Sequence, residues 1–407
     1  MGDSRESSTA GEGPPARPSR RHVAVLDGLR GIAILVVMLH HFEYLLPQGN
    51  IIGSLIRYIF YAGWTGVDLF FVLSGFLITG ILIDTKESAN YFSSFYARRI
   101  LRIFPLYYAV LGLIVIVAHI TYRPEFDRFM AKPSDQIYYF VYLNNWLILI
   151  KDTWHANIIG HFWSLAVEEQ FYLLWPACVW VTPKSRLFRV ALAGCVAALV
   201  LRIGLVAAHG PSIAIVVNTF TRMDTLLAGA CCALVVRDES LIARVKPWLI
   251  PTMALTALGF VYIELFADQS RDAGPYMETI GFSLISFGCS ALLLQIFLEK
   301  DRTSLSHRLF AAAPLTAMGK YSYGIYVFHV PILMLVTLFF GKALRLGIDP
   351  WTSIAVFLAL IGLSFLAAQA SYNLFEVRFL RLKNRFEPRF GFEASMGATR
   401  IPAEIQK

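Results

Sequence analysis

Arg30 and His41 stand eleven residues apart in "LDGLRGIAILVVMLHHF". In a helix that is nearly three turns, so both side chains share a face, about 16 Å apart along the axis. An arginine at one end of such a face can hold anionic oxygens, and a histidine at the other can take a proton from a hydroxyl. A snorkelling arginine and an interfacial histidine would give the same spacing with no chemistry. His40 points about 100° away and is the weaker candidate. A second segment, "GHFWSLAVEEQFYLLWP", sets His161 and Glu168 seven residues apart on one face, with Trp163 and Ser164 between them. The helix places Glu168 about 10 Å from His161. The expectation is that Glu168 lies near the depth of His41 and orients it as a general base, a buried carboxylate being stable beside a histidine or arginine. A purely structural ion pair is the alternative.

Three more segments carry polar groups through apolar surroundings. "TFTRMDTLLAG" holds Arg222 and Asp224, which can neutralise each other or neighbours, and "GVDLFFVLSGFLI" holds Asp68 with the small pair Ser74-Gly75 deeper. "MGKYSYGIYVFHVP" places Ser322, Tyr326 and His329 on adjoining turns, with Pro331 permitting a kink. "FYARRILRIFP" sets Arg99 and Arg102 on one helical face beside Arg98, a fork suited to phosphate oxygens. A basic cluster next to an apolar run also serves as a topology signal or an anionic-lipid contact. The five cysteines all lie in apolar runs and show no metal or disulfide spacing. No Ser or Cys sits in a recognisable nucleophile motif.

These groups need elements to hold them, and composition says which. Of 407 residues 57% are hydrophobic and 16% charged, and apolar runs of span length recur along the chain. That is an all-α polytopic membrane protein, a helical bundle rather than a soluble enzyme. Ten spans are expected, at about 31–46, 64–84, 104–122, 161–182, 187–208, 219–236, 248–266, 277–297, 321–341 and 351–375. The run 137–150 is apolar but short and contains Asn144 and Asn145, so it reads as re-entrant or interfacial. Lys and Arg gather in 1–30, 85–103, 183–189, 237–247, 298–314 and 376–407. With ten spans all six segments fall on one side, which the positive-inside rule makes cytoplasmic, both termini included. The net charge of +8 is then a topology signal and not a mark of nucleic-acid binding. Residues 1–22 read as a disordered tail with no signal peptide, 23–380 as one membrane domain, and 381–407 as a basic cytoplasmic tail. No internal repeat of the kind that builds many transporters is visible.

Taken in order, "LDGLRGIAILVVMLHH", "GVDLFFVLSGFLI", "FYARRILRIFPLYY", "HFWSLAVEEQFYLLWP", "TRMDTLLAG" and "GKYSYGIYVFHVPIL" resemble acyltransferase family 3, over about residues 24–380. These are bacterial polytopic O-acyltransferases of cell-surface sugars and some secreted metabolites. The family's Arg, ten residues, His falls on Arg30 and His41. Its Arg-x-x-Arg falls on Arg99 and Arg102, and its Trp-Ser-Leu-x-x-Glu on Trp163, Ser164, Leu165 and Glu168. Where many members read Glu-x-Pro, this chain has Glu376-Val377-Arg378. Some members carry a further span and a hydrolase-like domain, and this chain is expected to have neither.

The resemblance implies a membrane enzyme moving an acyl group from cytoplasmic acyl-CoA, acetyl-CoA above all, to an acceptor hydroxyl beyond the bacterial inner membrane. The acceptor would be a polysaccharide, lipopolysaccharide, lipid-linked glycan or glycoside. On that basis Arg30, Arg98, Arg99 and Arg102 would hold the donor. His41, Glu168, Arg222 and His329 would serve catalysis, with Arg222, His329 or a tyrosine hydroxyl on the oxyanion. Asp68, His161, Trp163, Ser164, Asp224 and Tyr326 would face the acceptor. No metal is expected, nor any partner beyond bilayer, donor and acceptor, and the oligomeric state is open. The rival expectation is a flippase for a glycan or acylated precursor, its polar residues forming a relay. A non-catalytic scaffold would have little reason to bury so many charges.

Overall fold

The structure, a computed structural model, describes residues 20–45, 51–121, 132–153, 158–267, 274–299, 301, 303–345 and 350–390. It is helical, with no strand among the described residues. The long elements are α1 (Arg20–Phe42), α2 (Ile51–Tyr61), α3 (Gly66–Thr85) and α4 (Tyr91–Thr121). Two short helices follow, α5 (Gln136–Phe140) and α6 (Asn144–Lys151), then α7 (Trp163–Val181) and α8 (Lys184–His209). After the short α9 (Ile213–Val217) come α10 (Thr219–Val235), α11 (Glu239–Val245), α12 (Leu249–Tyr262) and α13 (Phe282–Phe297). The chain closes with α14 (Leu305–Phe310), α15 (Ala313–Lys320), α16 (Ser322–Arg345), α17 (Pro350–Ser371) and α18 (Val377–Leu382).

Among the described residues eight helical stretches are long and apolar enough to cross a membrane. A polytopic helical membrane bundle is therefore the fold. The expected spans at 161–182 and 219–236 form α7 and α10, which fall outside the eight. Their apolar content is diluted by Glu168, Glu169 and Gln170 in one case, and by Arg222 and Asp224 in a 17-residue helix in the other. α7 still presents an apolar face, with Leu173, Leu174, Trp180 and Val181 exposed, whereas α10 is interior. α10 packs against α3, α7, α8 and α13, so it needs no face for lipid. The first span starts earlier than expected and takes Arg30 into its middle. The run 137–150 breaks into α5 and α6, each far short of the ~20 residues a crossing requires.

Small residues set two close crossings. A Cβ at Gly75 of α3 would stand 1.8 Å from the Leu226 carbonyl oxygen, and one at Gly229 of α10 would stand 2.0 Å from that of Val72. The "SGF" and "LAG" stretches thus let two backbones touch. α1 meets α15 in the same way, with Gly31 against the Leu315 carbonyl and Gly319 against that of Asp27. Polar ties then fix the register of α7 on α3. Trp175 Nε1 donates to Thr79 Oγ1 at 2.8 Å, and Lys86 Nζ donates to the Val179 and Thr182 carbonyls at the C-terminal end of α7.

Candidate active site

The histidine end of the bundle is built from α1, α16 and the 3₁₀ turn Gly160–Phe162 that leads into α7. His41 is half-buried, whereas His161 and His329 are buried. Their rings meet edge to face, His329 lying 4.9 Å from both His41 and His161 between centroids, and His41 6.1 Å from His161. Hydrogen-bond partners fix the tautomers, because a carbonyl oxygen can only accept. His329 Nδ1 faces the carbonyls of Tyr326 at 2.8 Å and Ile325 at 3.1 Å, so it carries the proton and leaves Nε2 as an acceptor. His41 Nδ1 faces the Val37 carbonyl at 2.9 Å and that His329 Nε2 at 3.3 Å, so it too is protonated and its N–H is shared. The lone pair of His41 is thereby left on Nε2, which has no hydrogen-bond partner among the described residues. A half-buried imidazole with its tautomer held from behind is the arrangement a general base requires.

His161 completes the layer. Its Nε2 donates to the Tyr326 carbonyl at 2.9 Å, and its Nδ1 is buried with no partner. The Tyr326 carbonyl thus receives two imidazoles, just ahead of Pro331, whose missing N–H interrupts the helix ladder. The Tyr326 hydroxyl lies 2.5 Å from Ser164 Oγ and donates to the His161 carbonyl at 2.7 Å. Ser164 also donates to that carbonyl, at 3.3 Å, and touches no imidazole nitrogen. It is a bracing group rather than a nucleophile. Ser164→Ala should therefore keep activity within roughly tenfold of the parent, the loss of one neutral hydrogen bond, as steady-state transfer rates would show.

Glu168 lies elsewhere than expected. It was to confront His41, but its Oε1 accepts from Ser74 Oγ at 2.5 Å and the cationic charges acting on it are those of Arg99 and Arg30. The reason is geometric. The turn at Gly160–Phe162 brings His161 itself to the level of His41, so Glu168, seven residues on, sits about 10 Å nearer the arginines. His329, not Glu168, is the group behind His41. Ser74, read from sequence only as a small residue for close packing, is the partner of Glu168.

The arginine end follows. Arg30 makes an ion pair with Asp27 at 3.1 Å and acts electrostatically on Arg99 and Arg102. Glu169 offsets Arg99, Glu376 offsets Arg102 and Glu387 offsets Arg98. The four predicted cations therefore form one cluster, and Glu376 is one of its counter-charges. Residues 381–390, the start of the expected basic tail, dock on the start of α4. Ser94 Oγ donates to the Phe386 carbonyl at 2.7 Å and Asn90 Nδ2 to that of Glu387 at 2.9 Å. The remainder of both expected tails, 1–19 and 391–407, lies outside the described residues.

Arg222, Asp68 and Asp224 enter two buried ion pairs. Arg222 Nη2 donates to Asp68 Oδ1 at 2.7 Å, joining α10 to α3, and its guanidinium stacks over Phe282 at 3.9 Å. Arg202 of α8 donates to Asp224 Oδ2 at 2.7 Å and to Ser283 Oγ at 2.6 Å. None of these three predicted residues contacts a histidine of the cluster. Trp163 is likewise buried, edge-on to Phe71. The segment 137–150 is anchored by Gln170 of α7, whose Nε2 donates to the Tyr142 carbonyl at 2.8 Å and to Asn145 Oδ1 at 2.9 Å. That anchoring holds Tyr142 in the left-handed region, φ 54°, a strained conformation for an aromatic residue. Among the described residues no group of three His, Cys, Asp or Glu side chains is disposed to hold a metal ion.

Comparison with known proteins follows the same ground. The acyltransferase domain family profile, Acyl_transf_3, matches residues 23–372. The chain is 29% identical to the peptidoglycan O-acetyltransferase OatA of Listeria monocytogenes over 339 residues, 79% of this chain and 51% of that protein. It is 29% identical to the O-acetyltransferase OatA of Staphylococcus aureus over 376 residues, 88% of this chain and 57% of that protein. It thus spans about half the length of the curated relatives it matches. No solved structure matches it. With the histidine cluster, the arginine cluster and the matched profile all inside one helical bundle, the chain belongs to the acyltransferase domain family.

Proposed function

We propose that the protein transfers an acetyl group from an acyl-CoA, bound at the arginine end, to a hydroxyl of a cell-wall glycan that reaches His41 from the opposite end, in the bacterial cytoplasmic membrane. The observation that carries this reading is the state of His41. Its Nδ1 proton is tied to Val37 and His329 while Nε2 is left open, on a helix that also carries Arg30. The relatives' names supply acetyl and glycan, and the basic cluster supplies the donor class. Arg30, Arg98, Arg99 and Arg102 suit the phosphates of CoA, since guanidinium forks bind phosphate by paired, charge-assisted hydrogen bonds.

When bound, acetyl-CoA supplies an acyl thioester activated for transfer. His41 Nε2 takes the acceptor hydroxyl proton as that oxygen bonds to the acyl carbon, and returns it to the departing thiolate. The charge that develops on His41 strengthens the Nδ1–H bonds to the Val37 carbonyl and His329 Nε2, so His329 acts as an orienting group. The buried Nδ1 of His161 is an acceptor without a partner on a ring packed against that of His329, suited to position the hydroxyl. Glu168 is a counter-charge for the entrance arginines rather than a partner of His41. Arg222, Asp68 and Asp224 hold α3, α8 and α10 together around the site.

Replacing Arg99 and Arg102 together by Gln tests the donor assignment. The KM for acetyl-CoA should rise at least roughly tenfold, each lost charged hydrogen bond being worth about 1.5–3 kcal/mol, while kcat at saturating donor changes little. An unchanged KM rejects the arginines as the donor site.

A further inference from the structure

Residues beyond the family match form part of the arginine end. Lys383, in the 3₁₀ turn Lys383–Phe386 that follows α18, is buried, and the charges of Arg98, Arg99 and Arg102 all act on it. The family profile ends at residue 372, and the motifs that identify the chain give Lys383 no role. Geometry places it with the arginines. One cleft is lined by Arg98, Arg99 and Ser94 from α4, Thr85 from the end of α3, and Lys383 and Pro388 from the C-terminal segment.

The segment is pinned to the start of α4 and the two residues before it. Ser94 Oγ and Asn90 Nδ2 donate to the carbonyls of Phe386 and Glu387, the Arg389 N–H donates to Asn90 Oδ1 at 2.8 Å, and the Ala89 N–H donates to the Arg389 carbonyl at 2.9 Å. A strap held by four hydrogen bonds keeps the Lys383 amine in one cleft with the Arg98 and Arg99 guanidiniums. Burying like charges together is costly, and the arrangement becomes favourable when an anion with several oxygens sits between them. Glu387, Glu376 and Glu169 offset single arginines at the rim of the cluster. A phosphate offers the oxygens needed to bridge an ammonium and guanidinium forks at once.

We propose that the C-terminal strap completes the phosphate site of the donor, with Lys383 as a further ligand to the phosphate oxygens of the CoA nucleotide. This rests on the donor reading above and extends it to a residue and a segment outside the family's shared core. Two sources of phosphate compete for such a site, the nucleotide of the donor and the headgroup of an anionic lipid, and the test separates them.

The full-length protein is purified into nanodiscs of phosphatidylcholine alone or with phosphatidylglycerol, and transfer is followed with acetyl-CoA and with phosphate-free S-acetylpantetheine. Lys383→Gln should raise the KM for acetyl-CoA roughly tenfold or more, leave kcat within about twofold, and leave the KM for S-acetylpantetheine unchanged in both lipids. Lys383→Arg, which keeps the charge, should restore most of the affinity. Equal penalties on both donors would overturn the proposal by making Lys383 a structural residue. A penalty seen only with phosphatidylglycerol would overturn it in favour of a lipid site. Parent protein that uses neither donor, or uses both with equal KM, would instead overturn the donor reading on which this rests.

Discussion

Replacing His41 by alanine is expected to lower acetyl transfer by at least about 10³-fold, in line with the upper range for removing a positioned general base, without reducing the amount of folded protein. The side chain is half-buried and packs at the end of α1, so its loss leaves a small, water-accessible gap rather than a cavity in the core. His329→Gln is the informative companion. Glutamine lacks an imidazole nitrogen to hold the His41 N–H from behind, yet His41 Nε2 and the Val37 carbonyl remain. Its loss should therefore be smaller, roughly 10–100-fold, the size seen when an outer partner of a working histidine is removed. Both rates are measured as acetylated product per mole of purified protein. Activity of His41→Ala within tenfold of the parent removes His41 as the base. A larger loss in His329→Gln than in His41→Ala would make His329 the group that touches the substrate.

The second large effect concerns Asp68 and Arg222. Asp68→Ala leaves the Arg222 charge buried between α3 and α10 with its ion pair gone, which costs about 3–5 kcal/mol by comparison with other buried pairs. Folded protein recovered from membranes should fall steeply, as size-exclusion profiles and thermal melts in detergent would record. The pair can instead be removed as a unit. Asp68→Leu with Arg222→Met replaces both charges by apolar groups of similar bulk, and should recover most of the lost stability together with activity. A double variant that is stable and inactive would show that Arg222 acts on the substrate and does more than join two helices.

Much of the fold could be read from periodic apolar runs, because lipid forces each crossing to be helical and long. The weakest signals are those of α7 and α10, whose apolar runs are interrupted by Glu168, Glu169, Arg222 and Asp224 because the bundle packs round those polar faces. The site was legible as a set of residues more than as a set of contacts. Arg30, His41, His161, His329 and the Arg98–Arg102 cluster could be chosen because polar groups in apolar runs are costly. Spacing along one helix says nothing about register between helices. The pairing of Glu168 with His41 failed for that reason, since a single turn at Gly160–Phe162 decides which residue of α7 reaches the level of His41. The same limit hid the pairs Arg222–Asp68 and Arg202–Asp224, in which partners lie 154 and 22 residues apart. Lys383 was not singled out because a basic run near a chain end reads as a topology signal, and sequence spacing does not reveal that its segment docks on α4.

The central claim is that one bundle takes its donor at the arginine end and its acceptor at the histidine end. Purified protein in sealed vesicles, with its orientation sorted by a tag on one terminus, tests this most directly. Acetyl-CoA is supplied to one face and a glycan fragment to the other, and free CoA and acetylated glycan are both counted. The expected result is product only when the donor meets the arginine face and the glycan the histidine face, with CoA and acetylated glycan appearing in equal amounts. Product formed only when both substrates share a face would contradict the two-ended site, and glycan crossing with no CoA released would make the protein a carrier.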